Sequence, residues 1–381
     1  MRKDELDTPE FLVDLDVLKK NINNMQKIAD NAGIKLRPMV KTHKTPIIAK
    51  MQVEAGCSGV QTAKLEEAEV MADAGITDIF ISHTIVGVKK IERLIKLAKR
   101  ADITISVDNY FSADAISQVA EQYNMKLSLL IEIDVGDRRS GVMPGDTALK
   151  LANKITNLQG IDLRGIWTHE GNVNSAKNQK ELKKASLASA KTMTNTAELL
   201  KSEGINVEVV SMGSTPSAVY VAGFPGITEI RPGTYIFNDI NQVKSGCCKL
   251  EDCAASILVT IISTPRPNIV FFDAGSKAIC GSIEMIRFQK GGIQAEWEDL
   301  EIGRIVDLDH RLLPGVRLEK VCGEYGFVAL ESNTSKLRIG DKIEVIPNIV
   351  DSEANYWDAM TVVEKGEVVE SWPIVARGKY K

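Results

Sequence analysis

The sequence predicts an α/β protein, a (β/α)8 TIM-like barrel followed by a mainly antiparallel β domain, and three observations lead there. From about residue 36 to 236, short β-branched runs alternate eight times with helical patterns. Some of these runs are continuously apolar, as in LSLLIEI at 127–133, which suits strands covered on both faces. After about residue 245 the rhythm changes to short strands separated by turn residues, with no long helical pattern between them. The expected division is therefore a barrel over residues 12–245 and a β domain over 246–381.

The eight candidate strands span 36–41, 59–62, 79–83, 105–109, 127–134, 164–170, 207–213 and 229–235. Helical stretches separate them. Over 16–32, Leu18, Ile22, Met25 and Ile28 share one face and Gly33 stops the helix; the long segment 175–204 closes at Gly204. Beyond the barrel, ASILVTIIS, IVFFDAG, GFVAL, DKIEVIP and EVVESWPIVARG read as strands of the β domain.

A chain of 381 residues is roughly two and a half domains of ~150, in line with two units. Hydrophobic residues at 44% and charged ones at 26% exclude a disordered or fibrous chain. With Lys+Arg 47 against Asp+Glu 51, the net charge of −4 leaves no basic excess for a nucleic-acid backbone. No apolar run reaches the ~18 residues of a membrane span, and MRKDELDTPEF lacks the apolar core of a signal peptide. Six cysteines (Cys57, Cys247, Cys248, Cys253, Cys280 and Cys322) form no Cys-x-x-Cys pair and read as scattered thiols of a reducing compartment. A cytoplasmic protein without nucleic-acid or membrane partners is expected.

Barrel active sites lie at the C-terminal ends of strands. The first candidate strand runs into Arg37-Pro38-Met39-Val40-Lys41-Thr42-His43-Lys44. Lys41 there either reaches solvent or, partly desolvated, offers its amine for a Schiff base; position alone does not separate the two. The fifth strand runs into Asp134-Val135-Gly136-Asp137-Arg138-Arg139-Ser140-Gly141, and the sixth into Trp167-Thr168-His169-Glu170-Gly171. The seventh ends in Ser211-Met212-Gly213-Ser214-Thr215-Pro216 and the eighth in Arg231-Pro232-Gly233-Thr234-Tyr235. Small residues after strands seven and eight are where barrels hold a phosphate, and a lysine facing such a cradle suggests pyridoxal phosphate.

PMVKTHKTP, DVGDRRSGV, WTHEG, MGSTPS, RPGTY, FFDAGSKA and WPIVARG, in this order along nearly the whole chain, resemble the D-threonine aldolase and D-serine dehydratase group of pyridoxal-phosphate enzymes with the alanine-racemase fold. The resemblance implies that Lys41 is the Schiff-base lysine, that Arg139 approaches the cofactor's phenolic oxygen, and that His169 packs against the pyridine ring. It implies a phosphate cradle of Gly213, Ser214, Thr215, Gly233 and Thr234, with Arg231 at the pyridine nitrogen. Gln61 and Tyr235 are further polar groups expected beside the cofactor. It also implies a β domain completed by the N-terminal segment 1–11, and a homodimer whose subunits share active sites.

The sequence departs from the family where metal-dependent members bind zinc or manganese. The segment reads Pro347-Asn348-Ile349-Val350-Asp351, with Ile349 at the histidine position and only Asp351 surviving, and the family's Glu-His-Gly is Glu324-Tyr325-Gly326. One carboxylate is a poor anchor for such an ion, so no metal is expected at the usual position, although His310 in the β domain is a candidate for a rearranged site. The leading expectation is a lyase on a D-β-hydroxy amino acid, by aldol cleavage or dehydration, with Lys41, Tyr325 and Asp351 as catalytic groups. A racemase using Lys41 and Tyr325 as its two bases, and a non-catalytic cofactor-binding protein, are the alternatives.

Overall fold

Eight runs rich in Ile, Val and Leu form eight parallel strands in the computed structural model of the chain, which describes residues 1–279, 302–331 and 337–381. After a first strand β1 (Glu10–Asp14), they are β2 (Lys35–Leu36), β3 (Val60–Thr62), β4 (Asp78–Ile81), β5 (Asp102–Val107), β6 (Leu127–Glu132), β7 (Ile161–Trp167), β8 (Val209–Ser211) and β9 (Glu229–Ile230). Their order in the sheet is β2-β9-β8-β7-β6-β5-β4-β3. A parallel bridge between Met39 and Gln61 joins its two ends, helped by the Ser58 N–H on the Leu36 carbonyl and the Gln61 N–H on the Pro38 carbonyl. The sheet closes on itself as the expected barrel.

Helices follow the strands: α1 (Leu15–Ala32), α2 (Pro46–Glu54), α3 (Leu65–Asp73), α4 (Val88–Ala98), α5 (Tyr110–Gln122), α6 (Asp146–Ile155), α7 (Gln179–Ser202), and the short α8 (Ala218–Val221) and α9 (Ile240–Lys244). In α4 the buried residues Ile91, Leu94 and Ile95 recur at helical spacing while the lysines point outward. Asn109 and Asn178 cap α5 and α7 by accepting the N–H groups of Ser112 and Glu181. Strands one and eight are shorter than expected. Pro38 and Pro232 lack the N–H needed to extend a ladder, and the chain turns instead into 3-10 segments at Val40–Thr42 and Thr234–Ile236.

The closing seam carries a buried charge network. Arg37 Nε donates to Glu229 at 2.8 Å and its Nη1 to Asp78 at 2.5 Å. Glu229 also accepts the Ser211 hydroxyl at 2.7 Å, and Arg231 Nε donates to the same hydroxyl oxygen at 2.7 Å.

The compact units of the chain are Met1–Ile22 with Thr234–Arg377, and Asn23–Gly233 with Gly378–Lys381. The expected bounds are 12–245, and 246–381 with the segment 1–11; the β unit here also takes in residues 12–22 and 234–245. β1 pairs with β10 (Ala255–Arg266) and with β16 (Ala359–Glu364), and Asn21 donates to the carbonyls of Ile236 and Asp252. Those bonds attach the start of α1 to the β unit. The last four residues belong to the barrel unit because Lys381 hydrogen-bonds Glu66.

The remaining strands are β11 (Ile269–Phe272), β12 (Gly303–Val306), β13 (Val316–Cys322), β14 (Tyr325–Leu330), β15 (Lys342–Pro347) and β17 (Glu367–Pro373). The sheet runs β13-β14-β11-β10-β1-β16-β17, with β15 pairing β10 and β12, and is antiparallel except for β1 beside β16. Glu344, fully buried, accepts Lys3 Nζ at 2.5 Å, His310 Nε2 at 2.7 Å and Ser256 Oγ at 2.7 Å. His310 is thus engaged by a carboxylate of its own sheet. Asp239 caps α9 by accepting the Gln242 N–H at 3.0 Å and also accepts the Val350 N–H at 3.2 Å. Burial raises its carboxyl from the ordinary 3.8 to about 7, with Asp351 adding to the shift. Among the described residues no helix is long and apolar enough to cross a membrane. Cys57, Cys247, Cys248, Cys253 and Cys322 are free thiols; Cys280 lies outside the described residues.

Two outcomes follow. Arg37→Met strands the buried Glu229 carboxylate and should lower the unfolding free energy by about 3–5 kcal/mol. This is read as a lower urea midpoint; an unchanged midpoint would show that closure does not depend on the network. Between about pH 4 and 7, native Asp239 retains a proton that the unfolded chain has released, so stability falls as pH rises, by at most ~1.4 kcal/mol per unit from this group. Asp239→Asn keeps the cap and should flatten that slope in midpoints measured across the window. The same slope in the variant would refute the assignment.

Candidate active site

Lys41 sits in the 3-10 turn Val40–Thr42, exposed, while its neighbours are buried. The turn is fixed from behind. The N–H groups of His43 and Lys44 both donate to the Val40 carbonyl. His43 Nδ1 accepts the Thr45 N–H at 3.2 Å, which leaves its proton on Nε2 facing Gln52 Oε1 at 3.3 Å. Burial pushes this imidazole down to about 3, so it is neutral. Lys44 is buried and ion-paired with Glu67 on α3.

Around the same end of the barrel stand Arg139, His169 and Arg231. The Asp134 carboxylate accepts the N–H groups of Gly136 and Arg138, and Ser140 donates to Glu132, shaping the turn that presents Arg139. Burial takes His169 down to about 4; Glu170 opposes this, and the charges of Arg139, Lys41 and Arg231 reinforce it. These four expected residues are thus within electrostatic reach of one another. Arg231 is buried over the Trp167 ring at 4.7 Å, with Nη1 on Gln61 Oε1 at 2.8 Å and Nη2 on the Thr168 carbonyl. Gln61 serves here as the acceptor that orients Arg231.

The turn after β8 holds Gly213 at φ +106, where a Cβ would stand 2.8 Å from Ile230. A Cβ on Gly233 would stand 3.1 Å from Met39. Ser214 brings a surprise: its N–H, expected in the cradle, donates to the buried Glu170 carboxylate, which also accepts the Ser217 hydroxyl. Burial opposes its ionisation, but His169 and these two donors hold Glu170 below the ordinary carboxylate range. Thr215 is buried.

The other expected residues belong to the β unit. Thr234 Oγ1 donates to Asp351 at 3.1 Å, so these two are together, and Tyr235 is buried beside Thr234 in its 3-10 turn. Tyr325 opens β14 at the hairpin with β13 and is half-exposed. Ile349, at the family's histidine position, is buried. Among the described residues no group of three or more His, Cys, Asp and Glu side chains is arranged to hold a metal.

Sequence reasoning missed four contributors. Glu170 was legible as a carboxylate next to His169 in WTHEG, but not its partner Ser214, 44 residues away. Ser211 and the Thr168 carbonyl, which hold Arg231, carry no signal of their own. His83 follows β4, its N–H bonded to the Ala63 carbonyl; partial burial, then Lys64, Arg139 and Lys41, hold its imidazole below its usual value. A histidine just past a barrel strand was the available signal.

Comparisons with known proteins match this chain along its length. The alanine racemase N-terminal domain family matches residues 13–240, and a serine dehydratase domain matches 254–363. The chain is 31% identical over 376 residues to a D-threonine aldolase of Arthrobacter sp, covering 98% of this chain and 93% of the relative. A solved D-threo-3-hydroxyaspartate dehydratase from Delftia sp. HT23 superposes with TM-score 0.89 at 30% identity, covering 98% of both chains. The D-threonine aldolase from Filomicrobium marinum does so with TM-score 0.88 at 29%, covering 100% of this chain and 98% of the other. The chain belongs to the D-threonine aldolase and D-serine dehydratase-like family of enzymes built on the alanine racemase N-terminal domain.

Proposed function

We propose that the chain is a pyridoxal-phosphate-dependent lyase that acts on a D-β-hydroxy amino acid, by aldol cleavage or by dehydration. The observation that carries this reading is Lys41, an exposed amine in a rigid turn near Arg139, Arg231 and a neutral His169, in a chain alike over its length to lyases. The residues fit the cofactor: Gly213 and Gly233 pack too closely on Ile230 and Met39 to admit a Cβ, which holds the backbone of the two expected cradle turns against the barrel. Lys41 would hold it covalently and Arg139 would face its phenolic oxygen. His169 would pack on its ring and Arg231, oriented by Gln61, would meet the ring nitrogen. Gly213, Thr215, Gly233, Thr234 and the hydroxyl of Ser214 would take the phosphate, with Tyr235 next to them in sequence. When bound, pyridoxal phosphate supplies an aldehyde for amines and a ring that accepts electron density from the substrate's Cα.

The chain's own part is positioning and proton transfer. Lys41 Nζ, once the substrate amine has displaced it, would accept the Cα proton in dehydration, while the β-hydroxyl proton of aldol cleavage falls to the groups at the β-oxygen. His169, neutral, can pack on a ring without adding a charge to it. The residues at the family's usual metal position do not fit a divalent ion: Ile349 has no donor atom, and Asp351 already accepts the Thr234 hydroxyl. Tyr325, with Asp351, is proposed for the proton at the β-oxygen. We also propose a homodimer with shared active sites, working in the cytoplasm; the relatives' action on D-amino acids supports a small amino-acid substrate.

The test is to incubate the purified protein and pyridoxal phosphate with D-threonine, D-serine, D-3-hydroxyaspartate and D-alanine. An aldehyde plus glycine, or a keto acid plus ammonia, from a hydroxy amino acid is expected, and Lys41→Ala should remove at least ~100-fold of the rate. Turnover of D-alanine to its enantiomer alone would overturn the lyase in favour of a racemase; binding without turnover of any of these would leave a binding protein. With the active substrate in hand, a chelator should leave the rate unchanged while Tyr325→Phe lowers it ~100-fold. Collapse on chelation, restored by manganese or zinc, would show that a metal is needed after all.

A further inference from the structure

The turn that carries Lys41 contains a second lysine with a different fate. Lys44 has a left-handed backbone, φ 53, which non-glycine residues rarely adopt, and its side chain is 5% exposed. Its ammonium reaches the buried Glu67 on α3. The other oxygen of Glu67 accepts the N–H groups of Ala63 at 2.9 Å and Lys64 at 3.1 Å, so one carboxylate ties the lysine turn to the segment following β3. Above this pair lies the end of the described chain. The Lys381 N–H donates to Glu66 at 2.9 Å, the Glu66 N–H donates to the Lys381 carbonyl at 3.1 Å, and the Tyr380 ring lies 5.7 Å from Lys44 Nζ.

We propose that the Lys44–Glu67 ion pair, covered by residues 378–381, is a positioning device for Lys41. A buried ammonium needs its counter-ion, so the pair holds Lys44 in its unfavourable backbone region, and Lys44 in turn fixes the pitch of the turn three residues earlier. The same pair withholds Lys44 from acting as a competing amine. The positioning role matters to catalysis only if Lys41 binds the cofactor, and so it rests on the function proposed above; the placement of the two amines does not.

The experiment uses both levels. Trace acetylation of the cofactor-free protein at fixed pH, followed by peptide mapping, should label Lys41 at least tenfold faster than Lys44. In Glu67→Gln and in a chain lacking residues 378–381, the ratio should fall severalfold as Lys44 becomes accessible. On loading with pyridoxal phosphate, both variants should bind it several times more weakly, with a weaker or shifted band near ~420 nm, because the amine is misplaced. Lys44→Arg, which keeps a cation for Glu67, should retain most of the wild-type band where Lys44→Met does not. Should Glu67→Gln not fold, the truncation, which removes no core residue, carries the test. A wild-type ratio and spectrum in the truncated chain, together with a wild-type spectrum in Lys44→Met, would overturn the proposal. Wild-type protein that shows the labelling contrast but takes no pyridoxal phosphate would refute the functional reading and leave the shielding of Lys44 standing.

Discussion

A buried chain of hydrogen bonds from Asp78 through Arg37, Glu229 and Ser211 to Arg231 and Gln61 sets the geometry on which the barrel's candidate site depends. Arg37 and Arg231 are both nearly inaccessible, and a buried guanidinium must have its donors satisfied or the barrel would not tolerate it. The network begins at the first residues of β4 and β9, passes between the ends of β2 and β9, and ends at the opposite mouth. Arg231 is therefore in place before any ligand arrives. Its plane is fixed by Ser211, Gln61 and the Thr168 carbonyl, with the Trp167 ring beneath it, itself anchored on Ser106 at 2.7 Å. Preorganisation of this kind lets a site hold a charge without paying reorganisation at the moment of reaction.

The lysine turn depends on the same closure. Met39 and Gln61 pair across the seam, so Lys41, two residues beyond Met39, stands at the mouth next to the end of β3. Pro38 ends the ladder before it and the neutral His43 packs behind it. Glu170 plays the matching part on the far side, tying the end of β7 to the turn after β8 through Ser214 and Ser217. Two internal carboxylates, Glu67 and Glu170, thus shape the two turns that matter most. Glu170 does so by accepting the Ser214 N–H, and Glu67 by pairing with the Lys44 ammonium while accepting the N–H groups of Ala63 and Lys64, which the segment after β3 otherwise leaves unsatisfied.

Much of this was legible in the sequence because it is periodic or local. The strand–helix alternation, the largely apolar LSLLIE strand and the glycine stops reach the structure nearly unchanged. The motif residues Lys41, Arg139, His169 and Arg231 converge because all of them follow strands of one closed parallel sheet. What escaped is long-range and pairwise. Arg37 meets Glu229 across 192 residues, and no spacing rule links them. The expected cradle rested on small residues, whereas the claim of Glu170 on the Ser214 N–H depends on the register between β7 and β8. The attachment of residues 12–22 to the β unit escaped for a similar reason: β1 is an ordinary short strand until β10 and β16 are known to flank it.

The segment around Ile349 shows the same logic from the other side. Where the family's metal-dependent members present a histidine, this chain buries an isoleucine, and the flanking Val350 is buried as well. The turn that follows is held by hydrogen bonds: Asp239 accepts the Val350 N–H and Asp351 accepts the Thr234 hydroxyl. A hard cation competes for carboxylate oxygens by offering several strong bonds at once, which requires several oxygens in one shell. Here Asp351 would have to give up Thr234 to join a shell, and Asp239 holds its proton up to about pH 7. Glu324, the other acidic survivor of the family's pattern, is ion-paired with Lys277 at 2.5 Å on the surface. The conversion of a ligand position into core packing therefore extends to the described groups around it.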